Sequence, residues 1–264
     1  MKKRTFLNAV LILTALCILF PMAVIAIWSV TGRWPWPDLL PESWTMRTLE
    51  ELMFGSAKLP KLLGSSISLA AIVAFLATAI SILTARATEF YDFLGKALIR
   101  FSGMLPLLVP GTVFAMGIQL VMLKLGLSDT IAGVVLVHLV CALPYCIAIM
   151  GDVTRAVGIR LEEQAAVLGA SPMRAFFAVT LPSLLPGVLS SASMGFILSY
   201  SQYFTTLMVG GGRVKTIALV LVPYIQSGDR ALASAYSVAF VASAMIVFFI
   251  FETLIKKLRK EDAV

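Results

Sequence analysis

Cutting the chain at every Asp, Glu, Lys and Arg leaves long uncharged and mostly apolar runs at 5–32, 62–85, 101–123, 130–151, 175–212 and 231–251. A helix needs about 20 apolar residues to cross the hydrocarbon layer. The pattern therefore predicts an all-α polytopic membrane helix bundle with six spans, at about 5–28, 62–85, 101–123, 130–150, 187–208 and 231–251. The run 175–212 is too long for one span, and Pro182 and Pro186 are expected to divide it into an interfacial piece and the fifth helix. The stretch between Lys215 and Asp229 is uncharged but too short to span and contains Pro223, which suits a re-entrant or interfacial hairpin. Residues 1–264 are expected to form a single transmembrane domain, since little chain lies outside the runs and no length is left for a soluble nucleotide-binding domain.

Small residues recur four apart at Ser66, Ala70, Ala74 and Thr78, and again at Gly187, Ser191 and Gly195. Such stripes let helix backbones approach closely where apolar side chains gain nothing by leaving lipid for one another. Composition agrees with the pattern: 59% of residues are hydrophobic, 13% are charged and the mean hydropathy is +0.96, against about 25% charged residues in soluble domains. The net charge of +7 then reports orientation before it reports a nucleic-acid partner, and no nucleic acid is expected. With six alternating spans and the N-terminus inside, the inner segments hold 13 basic residues and the outer ones 8, which favours both termini in the cytoplasm. Trp28, Trp34, Trp36 and Trp44 fit an outer interfacial belt. The apolar run after Lys2, Lys3 and Arg4 exceeds a signal-peptide core and is taken as an uncleaved first span. Cys17, Cys141 and Cys146 lie in apolar runs without metal-site spacing and are expected to pack in the core; no metal site is expected.

The most informative stretch begins at Gly151. Leu161–Leu168 predicts a short helix whose acidic first turn, Glu162 and Glu163, suits the helix dipole. Gly169 is placed to stop it, and Ser171 and Pro172 to start a second helix as N-cap and first residue, carrying Phe176 and Phe177. Residues 151–185 thus form a helix–turn–helix knob on the inner face of the membrane.

This loop resembles that of the inner-membrane permease subunits of binding-protein-dependent ATP-binding cassette importers. Their signature is Glu-Ala-Ala, three residues, Gly, nine residues, Ile, one residue, Leu-Pro. Glu163, Ala165, Gly169, Leu181 and Pro182 fall at those places, with Gln164 for the first Ala and Val179 for Ile. LPLLVPGTV from Leu105 and LVHLVCALPYC from Leu136 are similar to the third and fourth spans of the same permeases. The resemblance implies a five-helix core with an added N-terminal helix in a bacterial inner membrane. It further implies two cytoplasmic ATPase subunits, a second permease forming a heterodimer rather than a homodimer, and an extracytoplasmic solute-binding protein. Glu163, Ala165, Gly169, Ser171, Pro172, Val179, Leu181 and Pro182 would couple the chain to the ATPase. No catalytic residue or cofactor is expected in this chain: it lacks a Gly-x-x-x-x-Gly-Lys-Ser/Thr phosphate loop, and ATP and magnesium would belong to the partner.

Tyr200, Gln202, Tyr203, Gly210, Gly211 and Gly212 form the candidate translocation gate, polar and aromatic groups in the outer half of span five followed by a glycine hinge. The segment from Ser199 onward is similar to permeases of the spermidine/putrescine-like subgroup, which implies a polyamine as cargo; thiamine, phosphonate and iron(III) importers share that subgroup. His138, the sole histidine, is expected to be neutral and bonded to a helix backbone. A self-sufficient secondary transporter is the competing class. It would need intramembrane charges for ion coupling or paired repeats, and the spans offer neither.

Overall fold

The computed structural model describes residues 2–35, 38–55 and 58–261. Its helices are α1 (Lys2–Trp28), α2 (Arg47–Phe54), α3 (Leu59–Phe90), α4 (Lys96–Leu108), α5 (Gly111–Lys124), α6 (Ile131–Val157), α7 (Arg160–Val167), α8 (Pro172–Ala175), α9 (Leu181–Tyr200), α10 (Phe204–Gly210), α11 (Ile217–Ser227) and α12 (Arg230–Glu261). A π-helical turn, Phe176–Thr180, joins α8 to α9, and a small antiparallel pair, β1 (Thr31–Arg33) and β2 (Ser43–Trp44), follows α1. Among the described residues five helical stretches are long and apolar enough to cross a membrane: Phe6–Trp28, Leu59–Phe90, Ile131–Val157, Pro172–Tyr200 and Arg230–Lys257.

The expected third span, 101–123, is not one helix. Pro110 disfavours helical backbone at Val109, which is extended at φ −92° and ψ 132°, so α4 ends at Leu108 and a new helix starts at Gly111. The fifth span departs the other way. Pro182 and Pro186 do not divide it; the helical path runs from Pro172 to Tyr200 and stops eight residues before the expected end. The π turn absorbs the misfit ahead of Pro182, while the hydroxyls of Ser183 and Ser190 donate to the carbonyls of Val179 and Pro186 at 2.9 and 2.8 Å. The stretch expected to form a hairpin is the single helix α11.

The chain divides into two compact units, Met1–Leu63 with Val220–Ser243, and Gly64–Leu219 with Ala244–Val264. In the first, Arg230 lies 5.0 Å over the Trp28 ring, Trp34 meets Trp28 edge-on, and Thr48 of α2 donates a hydrogen bond to the Ser29 carbonyl. Trp44 is exposed, and Trp36 lies outside the described residues. Cys17 is exposed on α1 and so is not a core residue as expected, Cys141 is half-buried, and Cys146 is buried in the core.

In the second unit α3, α6 and α9 cross at the two small-residue stripes. A Cβ on Gly195 would stand 3.3 Å from both the Ala74 Cα and the Cys146 Sγ, and Ser191 shares hydrogen bonds of 3.4 Å with Thr78 and Ser81. Backbone contact replaces side-chain interdigitation here. Val73, Ala77, Val134, Val137, Ala142 and Cys146 fill one buried cluster around this crossing, and Ala85, Met150 and Leu184 fill a second toward the loop that follows α6.

Candidate functional site

That loop forms a knob, and its first turn is built by local chemistry. Gly169 adopts φ +87°; its N–H donates to the Ala166 carbonyl at 2.9 Å and the Ala170 N–H to the Ala165 carbonyl at 3.0 Å. This pair of bonds closes α7 and needs a residue free to take positive φ. Two residues on, the Ser171 hydroxyl accepts from the Arg174 N–H at 3.4 Å and Pro172 opens α8. Helix, stop and restart therefore fall where the sequence puts them, although α6 continues to Val157 and the knob begins at Gly158 rather than Gly151.

The knob is fastened to the end of α3. Arg86 grips Glu162 with two bonds, Nη1 to Oε2 at 2.8 Å and Nη2 to Oε1 at 2.9 Å, and Thr180 donates to the same carboxylate at 2.9 Å. The Arg86 guanidinium also lies 4.8 Å over the Phe176 ring. Paired planar groups of opposite charge resist both sliding and rotation, so α3, α7 and the π turn are locked as one body. The Arg86 hydrogen bond holds the Glu162 carboxyl below the ordinary carboxylate range, and Thr180 adds to it against the opposing effect of burial.

The signature position, Glu163, is not the residue that makes these bonds. Glu163 is exposed, and the anchoring bonds belong to its neighbour. A lone arginine closing an apolar span, facing an acidic first turn elsewhere, was the available signal. Val179, Leu181 and Pro182 lie on the π turn and the first turn of α9, where they extend the knob into the long helix. At its tip Val167 and Leu168 are each 88% exposed, and Met173 and Phe177 of the same knob are exposed as well. The knob thus carries an exposed apolar tip on an otherwise braced element.

A second ion-pair group fastens the same end of the unit. Glu89 on α3 receives Arg155 of α6 at 3.0 and 3.1 Å and Arg100 of α4 at 3.1 Å. These groups border a cavity of about 500 Å³ with largely apolar walls, including Met104, Leu108 and Ile147.

The six candidate gate residues do not form one cluster. Tyr200 is buried and stacked on Phe196 with ring centroids 5.4 Å apart. Gln202 and Tyr203 lie in the interruption between α9 and α10, and only Gln202 lines a cavity of about 460 Å³ with Thr112, Tyr145 and Thr205. Gly210 packs where a Cβ would stand 3.1 Å from Val134, while Gly211 and Gly212 take positive φ and turn the chain. The segment beyond is tied to α3: Ser65 donates to the Lys215 carbonyl and the Ile217 N–H donates to Ser66, both at 2.8 Å.

His138 is buried, but not bonded to backbone as expected. Its Nδ1 lies 2.9 Å from the Ser199 hydroxyl and its Nε2 2.9 Å from that of Thr206. Two hydroxyls reach it because α9 and α10 both pack on α6 at this level. Among the described residues no group of three or more His, Cys, Asp or Glu side chains is arranged to hold a metal ion.

Comparison with known proteins matches this architecture to one family. Residues 77–260 match the family described as binding-protein-dependent transport system inner membrane component. The putrescine transport system permease protein PotI of Escherichia coli K12 is 25% identical over 83% of this chain and 80% of its own. The molybdenum transport system permease protein ModB of Haemophilus influenzae is 29% identical over 64% of this chain and 82% of its own. A candidate ABC transporter permease of Streptomyces antibioticus is 32% identical, and this chain spans 59% of its length. A crystal structure of a bacterial ABC transporter that imports the acidic polysaccharide alginate superposes with a TM-score of 0.73 over 96% of both chains at 19% identity, a likeness of fold. With a family match over more than half of its length and the same fold in a solved transporter, the chain belongs to the inner membrane components of binding-protein-dependent transport systems.

Proposed function

We propose that this permease component forms half of the translocation path of an ATP-binding cassette importer and that residues 158–180 are the element on which a cytoplasmic ATPase acts. The observation that carries the reading is the clamp of Arg86, Glu162 and Thr180 beneath an exposed apolar tip at Val167 and Leu168. A subunit that closes on the tip pulls on α7, and the clamp passes that pull to α3 while the π turn passes it to α9. A loop free to swing would absorb the motion instead. Glu163, Ala165, Gly169, Ser171, Pro172, Val179, Leu181 and Pro182 give the knob its shape and its continuity with α9. ATP and magnesium act in the partner ATPase.

In this reading both termini and the knob are cytoplasmic, in a bacterial inner membrane, and the basic residues support that orientation, 13 inside against 8 outside. Two ATPase subunits, a second and different permease and an extracytoplasmic binding protein complete the importer. Gln202 and the segment through Gly212 contribute to the gate. A polyamine is the first cargo to test, because the putrescine permease aligns over 83% of this chain. Molybdate is the second reading, supported by 29% identity to the Haemophilus molybdenum permease.

The test is uptake of radiolabelled putrescine and of molybdate into proteoliposomes holding the complete importer. ATP-dependent uptake of one of them identifies the cargo. Uptake driven by this chain alone, with no ATPase present, would refute the importer reading.

A further inference from the structure

Two helix interruptions meet at one place. The α4–α5 break at Val109 and Pro110 and the α9–α10 break at Ser201–Tyr203 both border the cavity of about 460 Å³, whose lining includes Pro106, Gly111, Gln202 and Phe204 from the two sides. Non-helical backbone at membrane depth is tolerated only inside protein or beside water. Thr112, Tyr145, Gln202 and Thr205 supply hydroxyl, phenol and amide groups to that cavity, and among the described residues that line it none carries a charge.

Behind this wall His138 directs a chain of hydrogen bonds. The Thr206 hydroxyl donates its one proton to the Gln202 carbonyl at 2.9 Å. It therefore meets His138 Nε2 as an acceptor, which puts the imidazole proton on Nε2 and leaves Nδ1 to accept from Ser199. The order is Ser199 O–H to Nδ1, Nε2–H to Thr206, and Thr206 O–H to the Gln202 carbonyl. On its other side Gln202 is held through Oε1, which accepts from Thr205 at 2.8 Å. Backbone and side chain of the cavity-lining residue are thus both fixed, and one of the two anchors ends on a buried histidine of another helix.

We propose that this cavity is a hydrated contact site for a polar solute in transit, met by uncharged hydrogen-bonding groups, and that His138 is the positioning residue that holds its wall. The proposal rests on the permease reading above and assigns to it a place and a chemistry. Charge selection is left to other parts of the importer; this site recognises hydrogen-bonding capacity.

The test uses the complete importer in native membrane vesicles of both orientations, with Cys17, Cys141 and Cys146 replaced by alanine. A small charged methanethiosulfonate reagent is the probe. Thr112→Cys and Gln202→Cys are expected to react at least roughly tenfold faster than Leu16→Cys on the exposed face of α1, because the thiolate that reacts forms only beside water. His138→Phe keeps a ring and loses both bonds; it should change Gln202→Cys reactivity and lower uptake by roughly tenfold, the equivalent of one buried hydrogen bond. His138→Gln, which can still donate to Thr206, should restore both to within about threefold, and His138→Asn should not. A role in packing alone would make Gln no better than Phe. If Thr112→Cys is as slow as Leu16→Cys, the hydrated site is refuted. Equal behaviour of the Phe and Gln variants refutes the positioning role, and Thr206→Val decides the matter if the Phe variant does not reach the membrane: it must match Asn. ATPase co-purification is scored on the unsubstituted chain in the same preparations, so that failure of the permease reading registers separately.

Discussion

The clamp beneath the knob depends on one carboxylate. Glu162 has its pKa lowered from 4.5 chiefly by the Arg86 hydrogen bond, so its contribution is fully present above the unfolded-state value and is lost as pH falls through the lower folded-state value. Hydrogen exchange of residues 158–180 should therefore stay slow and pH-independent, after correction for intrinsic rates, above the ordinary carboxylate range, and accelerate only as pH falls below that range. Glu162→Gln should loosen the knob by about 2 kcal/mol at neutral pH, the usual cost of removing one partner of a charged hydrogen bond, and should erase the acid transition. An acid transition that persists in the Gln variant would assign it to another group. Gly169 tests the turn. Its φ of +87° costs a β-branched residue about 1 kcal/mol or more, so Gly169→Val should re-aim α8 and reduce substrate-stimulated ATPase activity in the complete complex. Unchanged stimulation would mean that the turn does not set the direction of the knob. The turn was legible from Gly169, Ser171 and Pro172, since glycine and capping signals act within a few residues. Of the clamp only the two halves are legible, an arginine closing an apolar span and an acidic first turn; their pairing is not, because Arg86 and Glu162 are 76 positions apart and only packing brings them together.

At the scale of elements, stretches free of charge located the spans but were blind to their continuity. Counting charged residues cannot detect the α4–α5 break, which a single proline and its extended neighbour create without any change in polarity. The same counting, joined to a rule against internal proline, divided α9 where a π turn and serine hydroxyls keep it whole. The small-residue stripes mark sites of close approach, where Ser191 and Gly195 face Thr78 and Ala74. Gly195→Val should place new carbons against the Ala74 backbone, destabilise the crossing by about 1–3 kcal/mol and lower the detergent melting temperature of the complex. Ser191→Ala, which adds no volume, should have a smaller effect. Equal melting temperatures for Gly195→Val and the unsubstituted chain would show that α3 and α9 can separate at this point without loss.

For the whole molecule, membership of the family and a fold shared with a solved importer leave orientation and coupling as the claims to test. Single cysteines at Ser43 and Glu162, treated with a membrane-impermeant thiol reagent in intact cells, should label at 43 and not at 162; the reverse would invert the topology. Coupling has a more direct test. A photo-crosslinking residue in place of Leu168, at the exposed tip of the knob, can be activated in cells that express the complete importer. The account predicts an adduct with the cytoplasmic ATPase subunit whose yield changes when ATP is depleted. An ATPase that co-purifies with this chain while position 168 crosslinks only to lipid or to an extracytoplasmic protein would contradict it.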